Sequence, residues 1–326
     1  GHGVVAVSNE DREITDTDIE RVLQASRVIA LPPDREVIDI VPREFIVDGL
    51  RGIRDPRGMI GVRLEVETTI ITGSKTWLHN LHRCIERAGL YISGYVLMPL
   101  AAAEVALSPD EKKLGVVLID IGAGSTDIAY FEDGSLVKTR VLPIGGDHIT
   151  NDIAIGLRTQ TDVAERIKLT YGHALVDAAS KEETFQVPRI GSQSESLYSQ
   201  ADLSEIIEPR VEEIFYLIRQ EVEQMVEKEP AGGYVLAGGA VSLPGMREMA
   251  EMVLGNTVRI AQPEFVGLRD PAYVNGAGMI LYMAKRFTRM AAVPSETKPR
   301  MNGKKKSVQK GASPFEKIKN WLKEFI

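Results

Sequence analysis

Apolar positions recur along this chain with two different periods, which together predict a mixed α/β fold. Short apolar or alternating runs bounded by turn residues predict strands at residues 3–8, 36–47, 62–72, 91–98 and 234–239, and a three-strand meander at 114–143. Apolar residues spaced three or four apart predict helices at residues 15–31, 74–88, 100–107, 147–157, 161–171, 203–226 and 272–290. The polar, serine-rich residues 180–199 predict irregular chain.

One of these strands leads directly into a polar, glycine-rich turn. The apolar run 116–119 is followed by Asp120, Gly122, Ala123, Gly124, Ser125, Thr126 and Asp127. Glycine can adopt positive φ, so backbone N–H groups can converge there on an anion. Two carboxylates would repel that anion unless a hydrated divalent cation lay between them. The segment therefore predicts a phosphate-binding hairpin, and the alternative is an ordinary glycine-rich hairpin.

A second glycine turn lies far downstream, at the end of the strand 234–239. Gly238 and Gly239 precede Ala240 and Val241, and no large side chain projects from the glycines. Ligands of α/β sheets bind at the carboxyl ends of strands, so a planar purine can lie against this backbone. Taken alone, the pair also fits a tight turn between a strand and a helix.

An acidic and a basic residue share one face of the helix predicted at 161–171. Glu165 and Lys168 are three residues apart, which places them side by side on that face. There a carboxylate can accept ribose hydroxyls while an ammonium approaches phosphate. The alternative is a solvated ion pair.

Composition and charge narrow the classes of function. The 326 residues allow two domains, and the single cysteine excludes an internal disulfide framework and fits a reducing compartment. The net charge is −7, yet residues 298–310 hold six basic and no acidic residues. An acidic body with a basic tail is poorly suited to wrapping nucleic acid, whereas the tail suits an anionic surface.

The C-terminal segment predicts an amphipathic helix behind a flexible tether. Residues 291–312 lack periodicity and predict a basic, disordered linker. The helix predicted at 313–326 has an apolar face with lysines beside it; the residues are Phe315, Ile318, Trp321, Leu322, Phe325 and Ile326, with Lys317, Lys319 and Lys323. Aromatic residues next to lysines favour binding to an anionic bilayer. The alternative is docking on its own core or on a partner helix.

Several of these segments resemble, in order, those of one protein family. Residues 120–127 (Asp-Ile-Gly-Ala-Gly-Ser-Thr-Asp) resemble the second phosphate motif of the actin/Hsp70 ATPase superfamily, and residues 236–240 (Leu-Ala-Gly-Gly-Ala) resemble its adenosine motif. Within that superfamily the chain is similar to the FtsA family of bacterial division proteins. The segments that carry this likeness are 47–49, 61–67, 72–75, 83–89, 144–150 and 207–213, together with the tail.

The resemblance implies an α/β protein with an actin-like (ribonuclease H-like) core and an FtsA-type inserted subdomain. It assigns 1–77 to the inserted subdomain, 78–112 to the rest of the first core subdomain, 113–158 and 231–270 to the second core subdomain, 159–230 to an FtsZ-peptide-binding subdomain, 271–290 to a returning core helix, 291–312 to the linker and 313–326 to a membrane-targeting helix.

The resemblance also implies a function. The family member would bind ATP and Mg²⁺, assemble into filaments, and anchor the FtsZ ring to the cytoplasmic face of the membrane at the division septum. Other division proteins would bind through residues 1–77. Gly145 and Gly146 would join the nucleotide contacts, with Asp120 and Asp127 holding Mg²⁺ through water. Arg210 is the candidate for gripping the FtsZ C-terminal peptide, and its alternative role is a surface ion pair with Glu213.

Two departures from the family pattern set further expectations. No Asp-x-Gly-Thr/Ser loop precedes Gly3, so we expect the chain to lack its N-terminal phosphate-1 segment and to bind nucleotide weakly without it. Met98 stands where superfamily members often carry a Gln or Glu that orients the attacking water. A thioether is a weak acceptor, so hydrolysis is expected to be weak at most, with Asp120 left to organise magnesium-bound water.

Two other classes of the same superfamily remain as alternatives. A small-molecule kinase needs a second substrate pocket with a catalytic acid, and no segment predicts one. A chaperone-like ATPase needs a substrate-binding β-domain after the core, whereas residues 291–326 predict a linker and a short helix.

Overall fold

The computed structural model describes residues 1–191, 195–263 and 268–291 of the chain. They form two compact units that divide between Leu97 and Met98, here called the N-terminal and C-terminal units. The predicted linker beyond residue 291 and the predicted helix at 313–326 lie outside the described residues. Within the described ranges, no helix has both the length and the hydropathy to cross a bilayer.

The N-terminal unit is an antiparallel sheet with a helix packed against it. Its elements are β1 (His2–Ala6), α1 (Asp16–Ser26), β2 (Arg35–Val47), β3 (Leu50–Ile53), β4 (Arg63–Ser74) and α2 (Lys75–Arg87). The strands lie in the order β1-β4-β2-β3. Val22 of α1 is buried against Phe45, Val47 and Leu64 of the sheet, because one strand face is apolar at every second position.

A buried carboxylate fixes the start of α1. Asp18 is fully buried and accepts hydrogen bonds from the backbone N–H and hydroxyl groups of Ser8 and Thr15, at 2.7–3.1 Å. Burial alone raises the pKa of Asp18, but these hydrogen bonds outweigh it and hold the pKa below its usual value. Thr15 and Asp18 form the capping box that the sequence predicts.

The C-terminal unit is a mixture of strands and helices. Its elements are α3 (Met98–Ala106), α4 (Pro109–Leu114), β5 (Val116–Ile121), β6 (Thr126–Glu132), β7 (Ser135–Leu142), α5 (Gly146–Leu157), α6 (Thr161–Tyr171), β8 (Thr184–Pro188), β9 (Glu195–Ser199), α7 (Gln200–Met225), β10 (Tyr234–Ala237), α8 (Met246–Leu254), β11 (Val258–Ile260) and α9 (Val274–Ala291), with single 3₁₀ turns at Val176–Ala178, Gly239–Ser242 and Pro271–Tyr273.

The main sheet of this unit has the order β11-β10-β5-β6-β7. β10 runs parallel to β5 and β11, whereas β6 and β7 continue the meander antiparallel. Every residue of the central strand β5 is buried, which explains its unbroken apolar run. Val117 and Ile119 face a core that includes Phe215 of α7, while the intervening Leu118 and Asp120 face the opposite side of the sheet.

Two predicted elements are wrong. Residues 91–97 form no strand: none of the described strands pairs with them, and Tyr91 is 95% exposed. An apolar run becomes a strand only when a neighbour accepts its backbone hydrogen bonds. Residues 180–199 are not wholly irregular, since β8 and β9 pair in register with Phe185 opposite Tyr198. Phe185 and Val187 are buried around an exposed Gln186, an alternation that the surrounding serines obscure.

Candidate functional site

Two carboxylates form the floor of the candidate site. Asp120 on β5 lies directly opposite Asp127 on β6 in the antiparallel register. Both line a small cleft between β5, β6 and the first turns of α3 and α9. The antiparallel register of the hairpin therefore brings together two acids that are seven residues apart in the sequence.

The surroundings of these two carboxylates disfavour negative charge. Burial raises the pKa of Asp120, although a hydrogen bond of 2.6 Å from Asn275 Nδ2 to Asp120 Oδ2 partly opposes that effect. Burial and then the charge of Asp120 raise the pKa of Asp127. A hydrated divalent cation between the two would relieve both effects, so the residues fit the cation that the family implies.

The turn between the two strands is open to solvent at its tip. Ala123 and Gly124 are exposed, and a Cβ built on Gly124 would meet no atom within 4 Å. Neither Gly122 nor Gly124 adopts positive φ, contrary to the sequence-based expectation. The Gly122 N–H donates to Ser125 O within the turn, 2.9 Å away, so it does not point at a ligand.

Gly145 and Gly146 hold this turn against the start of α5. Gly146 N donates to Gly122 O at 2.9 Å, and Asp147 N donates to Ala123 O at 2.8 Å. A Cβ on Gly145 would lie 2.5 Å from Gly122 O and 2.6 Å from Ala123 O. A glycine at 145 is thus required by the close approach of two backbones rather than by its own dihedral angles.

The second glycine turn lies next to the first, because β10 pairs with β5. Gly238 has φ +93°, and a Cβ on it would lie 2.4 Å from Asp120 Oδ1. Gly238 therefore closes against the carboxylate, whereas the exposed Gly239 has only Ala272 Cβ at 3.8 Å. Of the two glycines, Gly239 leaves the open space that the sequence assigns to both.

A groove continues from this turn past Ala240 and Val241. It has a volume of about 570 Å³ and lies between the start of α8, the end of β11 and the turn before α9. Its lining includes Val241, Arg247 and Arg269. The open backbone of Gly239 thus adjoins a space large enough for an organic ligand.

Glu165 and Lys168 share a helix face, as predicted, and contact the start of α5. Lys168 Nζ lies 3.1 Å from Gly146 O, 2.8 Å from Thr150 Oγ1 and 2.7 Å from Glu165 Oε2. The Thr150 hydroxyl also donates to Glu165. Burial raises the pKa of Glu165, but hydrogen bonds from Lys168 and Thr150 outweigh it and lower the pKa.

Gly146 is the point where these segments meet. A Cβ built on it would lie 3.5 Å from Ala240 Cβ, 3.5 Å from Lys168 Nζ and 3.6 Å from Gly122 O. The structure thus brings together the residues that the sequence separates into four segments; they are Asp120–Asp127, Gly145–Gly146, Glu165 with Lys168, and Gly238–Val241.

Other predicted site residues lie elsewhere or outside the described residues. Arg210 on α7 forms ion pairs with Asp152 of α5, at 2.5 Å, and with Glu213. The nine tail residues predicted to contact a membrane belong to residues 313–326, which the structure does not describe.

Sequence reasoning missed two residues of the site. Thr150 and Asn275 both contact predicted site residues. Thr150 ends the segment 144–150 but is not predicted as a site residue, and Asn275 belongs to no segment that the sequence singles out. The spacing of four between Gly146 and Thr150 on one helix was the available signal for Thr150. Nothing in the sequence pairs Asn275 with Asp120, because they are 155 residues apart.

Comparison with family models and known structures agrees with this arrangement. Residues 117–278 match the family model "Cell division protein FtsA", and residues 1–72 match "SHS2 domain inserted in FTSA". In structure, the chain is similar to MreB5 of Spiroplasma citri bound to ADP, with a TM-score of 0.55 at 18% identity over 67% of this chain and 68% of that one. The predicted fold class, an actin-like core with an FtsA-type inserted subdomain, is confirmed.

Curated relatives carry the same family name. The chain is 51% identical to the cell division protein FtsA of Bacillus subtilis over 284 residues, covering 87% of this chain but 64% of the relative. It is 36% identical to FtsA of Neisseria meningitidis serogroup B over 327 residues, covering 98% of this chain and 77% of the relative. The chain thus spans just under two thirds of the first of these relatives and over three quarters of the second. By these matches the chain belongs to the FtsA family of cell division proteins.

Proposed function

We propose that the C-terminal unit binds ATP with Mg²⁺ where the two glycine turns meet. The observation that carries this proposal is the position of Gly146, where an added Cβ would lie 3.5–3.6 Å from the first turn, the second turn and Lys168. The phosphates would lie at the exposed tip of the turn 122–125, and the base would lie over Gly239 toward the groove beside Val241. The cation would supply positive charge between the phosphates and the facing carboxylates Asp120 and Asp127.

The Glu165–Lys168 pair would fix the ribose side of the site. Glu165 is 40% exposed at its side chain, which leaves room for ribose hydroxyls to donate to it. Lys168 is buried, and its three N–H donors already have Gly146 O, Thr150 Oγ1 and Glu165 as partners. Lys168 would therefore reach a phosphate only by giving up one of these contacts, and its first role is to hold Gly146 in place.

At the level of the whole protein we propose a division adaptor whose output is a binding event. It would form filaments, recruit later division proteins through residues 1–77, and anchor FtsZ to the cytoplasmic face of the membrane at the septum through the helix at 313–326. Arg210 would grip the acidic part of the FtsZ C-terminal peptide by exchanging its bonds to Asp152 and Glu213 for bonds to the peptide.

The side chains that line the cleft favour binding of ATP over its hydrolysis. Met98 lines the cleft beside Asp120 and Asp127, and its thioether is a poor acceptor for orienting a water. Hydrolysis is therefore proposed to be weak at most. The remaining alternative, a small-molecule kinase, predicts ATP consumption that depends on an added phosphate acceptor.

Equilibrium titration with a fluorescent ATP analogue tests the nucleotide site. The unaltered chain is expected to bind more tightly in Mg²⁺ than in EDTA, and Asp120→Asn is expected to lose roughly 10- to 100-fold of the Mg²⁺-dependent affinity. Asp177→Asn, an exposed acid on the turn Val176–Ala178, is the matched control and should bind normally. No saturable binding by the unaltered chain would rule out the nucleotide proposal.

A further inference from the structure

Asn275 holds one oxygen of Asp120 in a defined direction. Asn275 lies in the first turn of α9, and its Nδ2 donates to Asp120 Oδ2 at 2.6 Å. An ionised carboxylate only accepts hydrogen bonds, so the amide must turn its NH₂ group toward Asp120. This orientation leaves the amide oxygen, Oδ1, pointing away from Asp120.

That amide oxygen is shielded from solvent and has no hydrogen-bond partner among the described residues. An unsatisfied buried acceptor costs about 1–3 kcal/mol, so a donor is expected beside it. Asn275 shares its cleft with residues that offer no side-chain donor; they are Met98, Pro99, Ala102, Leu118 and Ala129. The other two residues of the cleft, Asp120 and Asp127, only accept when ionised.

The cleft is of the right size for a water molecule. Its free volume of about 10 Å³ is roughly the space that one water needs. A water that binds a cation turns its hydrogens outward, so it can donate to an amide oxygen. The unsatisfied oxygen, the facing carboxylates and the free volume thus match one water of a hydrated divalent cation.

The backbone around Asn275 is rigidly seated. Gly278, three residues further along α9, packs so closely on α3 that a Cβ there would lie 2.2 Å from Ala101 O. Because α3 begins at Met98, this contact fixes both walls of the cleft against each other. A side chain on such a helix keeps its direction better than one on a loop.

We propose that Asn275 is a positioning residue for the divalent cation: it orients Asp120 through Nδ2 and holds a cation-bound water through Oδ1. This inference rests on the proposed function, because it assumes that a cation lies between Asp120 and Asp127. It adds a group from α9, outside both glycine turns, to that site.

Thermal unfolding of the full chain, titrated with Mg²⁺ alone, tests the proposal. Mg²⁺ is expected to stabilise the unaltered chain, and Asn275→Ala should raise the Mg²⁺ concentration at the midpoint of that effect roughly tenfold. Ile280→Ala, an exposed position on the same helix, should leave the midpoint unchanged. An unchanged midpoint in Asn275→Ala, or no stabilisation of the unaltered chain, would overturn the proposal.

Asn275→Asp gives a second test, in which the melting temperature in EDTA can rise or fall and the direction of the change tests the proposal. An acid in the first turn of a helix normally stabilises it through the helix dipole. If Asn275 faces Asp120, the new carboxylate repels it, so the melting temperature in EDTA should fall and the rise on adding Mg²⁺ should exceed that of the unaltered chain. A melting temperature equal to or above that of the unaltered chain in EDTA contradicts the proposal. Neither test uses nucleotide, so failure of ATP binding remains distinguishable.

Discussion

At the residue scale, the site depends on two carboxylates that the fold forces together. Asp120 and Asp127 occupy facing positions of β5 and β6, where burial and mutual repulsion disfavour the charged forms. Such an arrangement costs stability unless a cation compensates for it. The loss of folding stability that this arrangement causes in the absence of a cation can therefore be measured.

Asp127→Asn should have opposite effects with and without cation. In EDTA we expect a higher melting temperature, because a neutral amide removes the burial cost of the Asp127 charge and its repulsion from Asp120. In Mg²⁺ the variant should lose most of the cation-induced rise that the unaltered chain shows. Differential scanning calorimetry in both buffers measures the two effects. A variant that is destabilised in EDTA would show that the two carboxylates do not repel each other.

Asp18, a buried carboxylate of the N-terminal unit, has a pKa shift opposite to those of Asp120 and Asp127. The pKa of Asp18 is lowered in the folded state, so its contribution to stability is present above its ordinary pKa of about 3.8 and is lost as the pH falls through the folded value. Asp18→Asn removes acceptors for Ser8 and Thr15 and should cost about 2–3 kcal/mol at neutral pH.

Hydrogen exchange of the amides of α1 and β1 measures that loss. The difference between Asp18→Asn and the unaltered chain should shrink as the pH falls from about 3.8 through the lower folded pKa of Asp18, because the unfolded chain takes up the proton first and the folded carboxyl is protonated only below its own pKa. Glu20→Gln, an exposed change on the same helix, is the control and should have little effect at either pH. A difference that does not vary with pH would assign the effect to packing instead.

The residues of the site differ in how far the sequence reveals them. Asp120 and Asp127 are recognisable because they flank a glycine turn after an apolar strand. Asn275 is not, because its contact with Asp120 comes from the packing of α9 and leaves no local pattern. Thr150 shows only its spacing of four from Gly146, and its contact with Lys168 depends on how α5 and α6 pack. Local motifs thus predict what the turns contribute, but not what the surrounding helices add.

At the element scale, the two glycine turns have distinct physical requirements. Gly145 and Gly238 allow backbone or carboxylate oxygens to approach closely, whereas Gly124 and Gly239 face open space. The sequence predicts open backbone at both Gly238 and Gly239, and only Gly239 has it; positive φ, expected at Gly122 and Gly124, occurs at Gly238 instead. Close approach depends on what lies on the other side, which only the folded structure reveals.

Gly145→Ala and Gly124→Ala should separate folding from binding. The first places a Cβ 2.5 Å from Gly122 O, so we expect a loss of stability of about 1–3 kcal/mol together with weaker nucleotide binding. The second meets no atom within 4 Å, so stability should stay unchanged while a bound phosphate at the turn is crowded. Urea unfolding and nucleotide titration measure the two effects. Equal stability of both variants would contradict the close approach at Gly145.

Helices and strands are predicted correctly where the apolar residues of a segment recur with a clear period and turn residues mark its ends. The meander predicted at 114–143 forms β5, β6 and β7, and the helix predicted at 161–171 has those bounds, since turn residues flank a clear pattern. The strand predicted at 91–98 fails because its apolar run lacks a pairing partner among the described strands. The pair β8 and β9 was missed because only a few residues alternate within a polar segment.

At the scale of the whole molecule, the chain carries an actin-like unit followed by residues 292–326, which the structure does not describe. Family membership is established by the matches over most of the chain, and the actin-like fold by the structural similarity. The bridging of FtsZ to a membrane remains a proposal that rests on Arg210 and on the amphipathic pattern at 313–326. Those two features lie in separate parts of the sequence, so each can be altered alone.

The most direct measurement is co-sedimentation of a labelled FtsZ C-terminal peptide with anionic phospholipid vesicles in the presence of this chain. We expect the unaltered chain to bring the peptide down with the vesicles. Deletion of residues 313–326 should leave both in the supernatant. Arg210→Ala should pellet the chain but not the peptide, whereas Arg219→Ala, an exposed arginine further along α7, should behave like the unaltered chain. Equal pelleting of peptide with and without residues 313–326 would contradict the adaptor account.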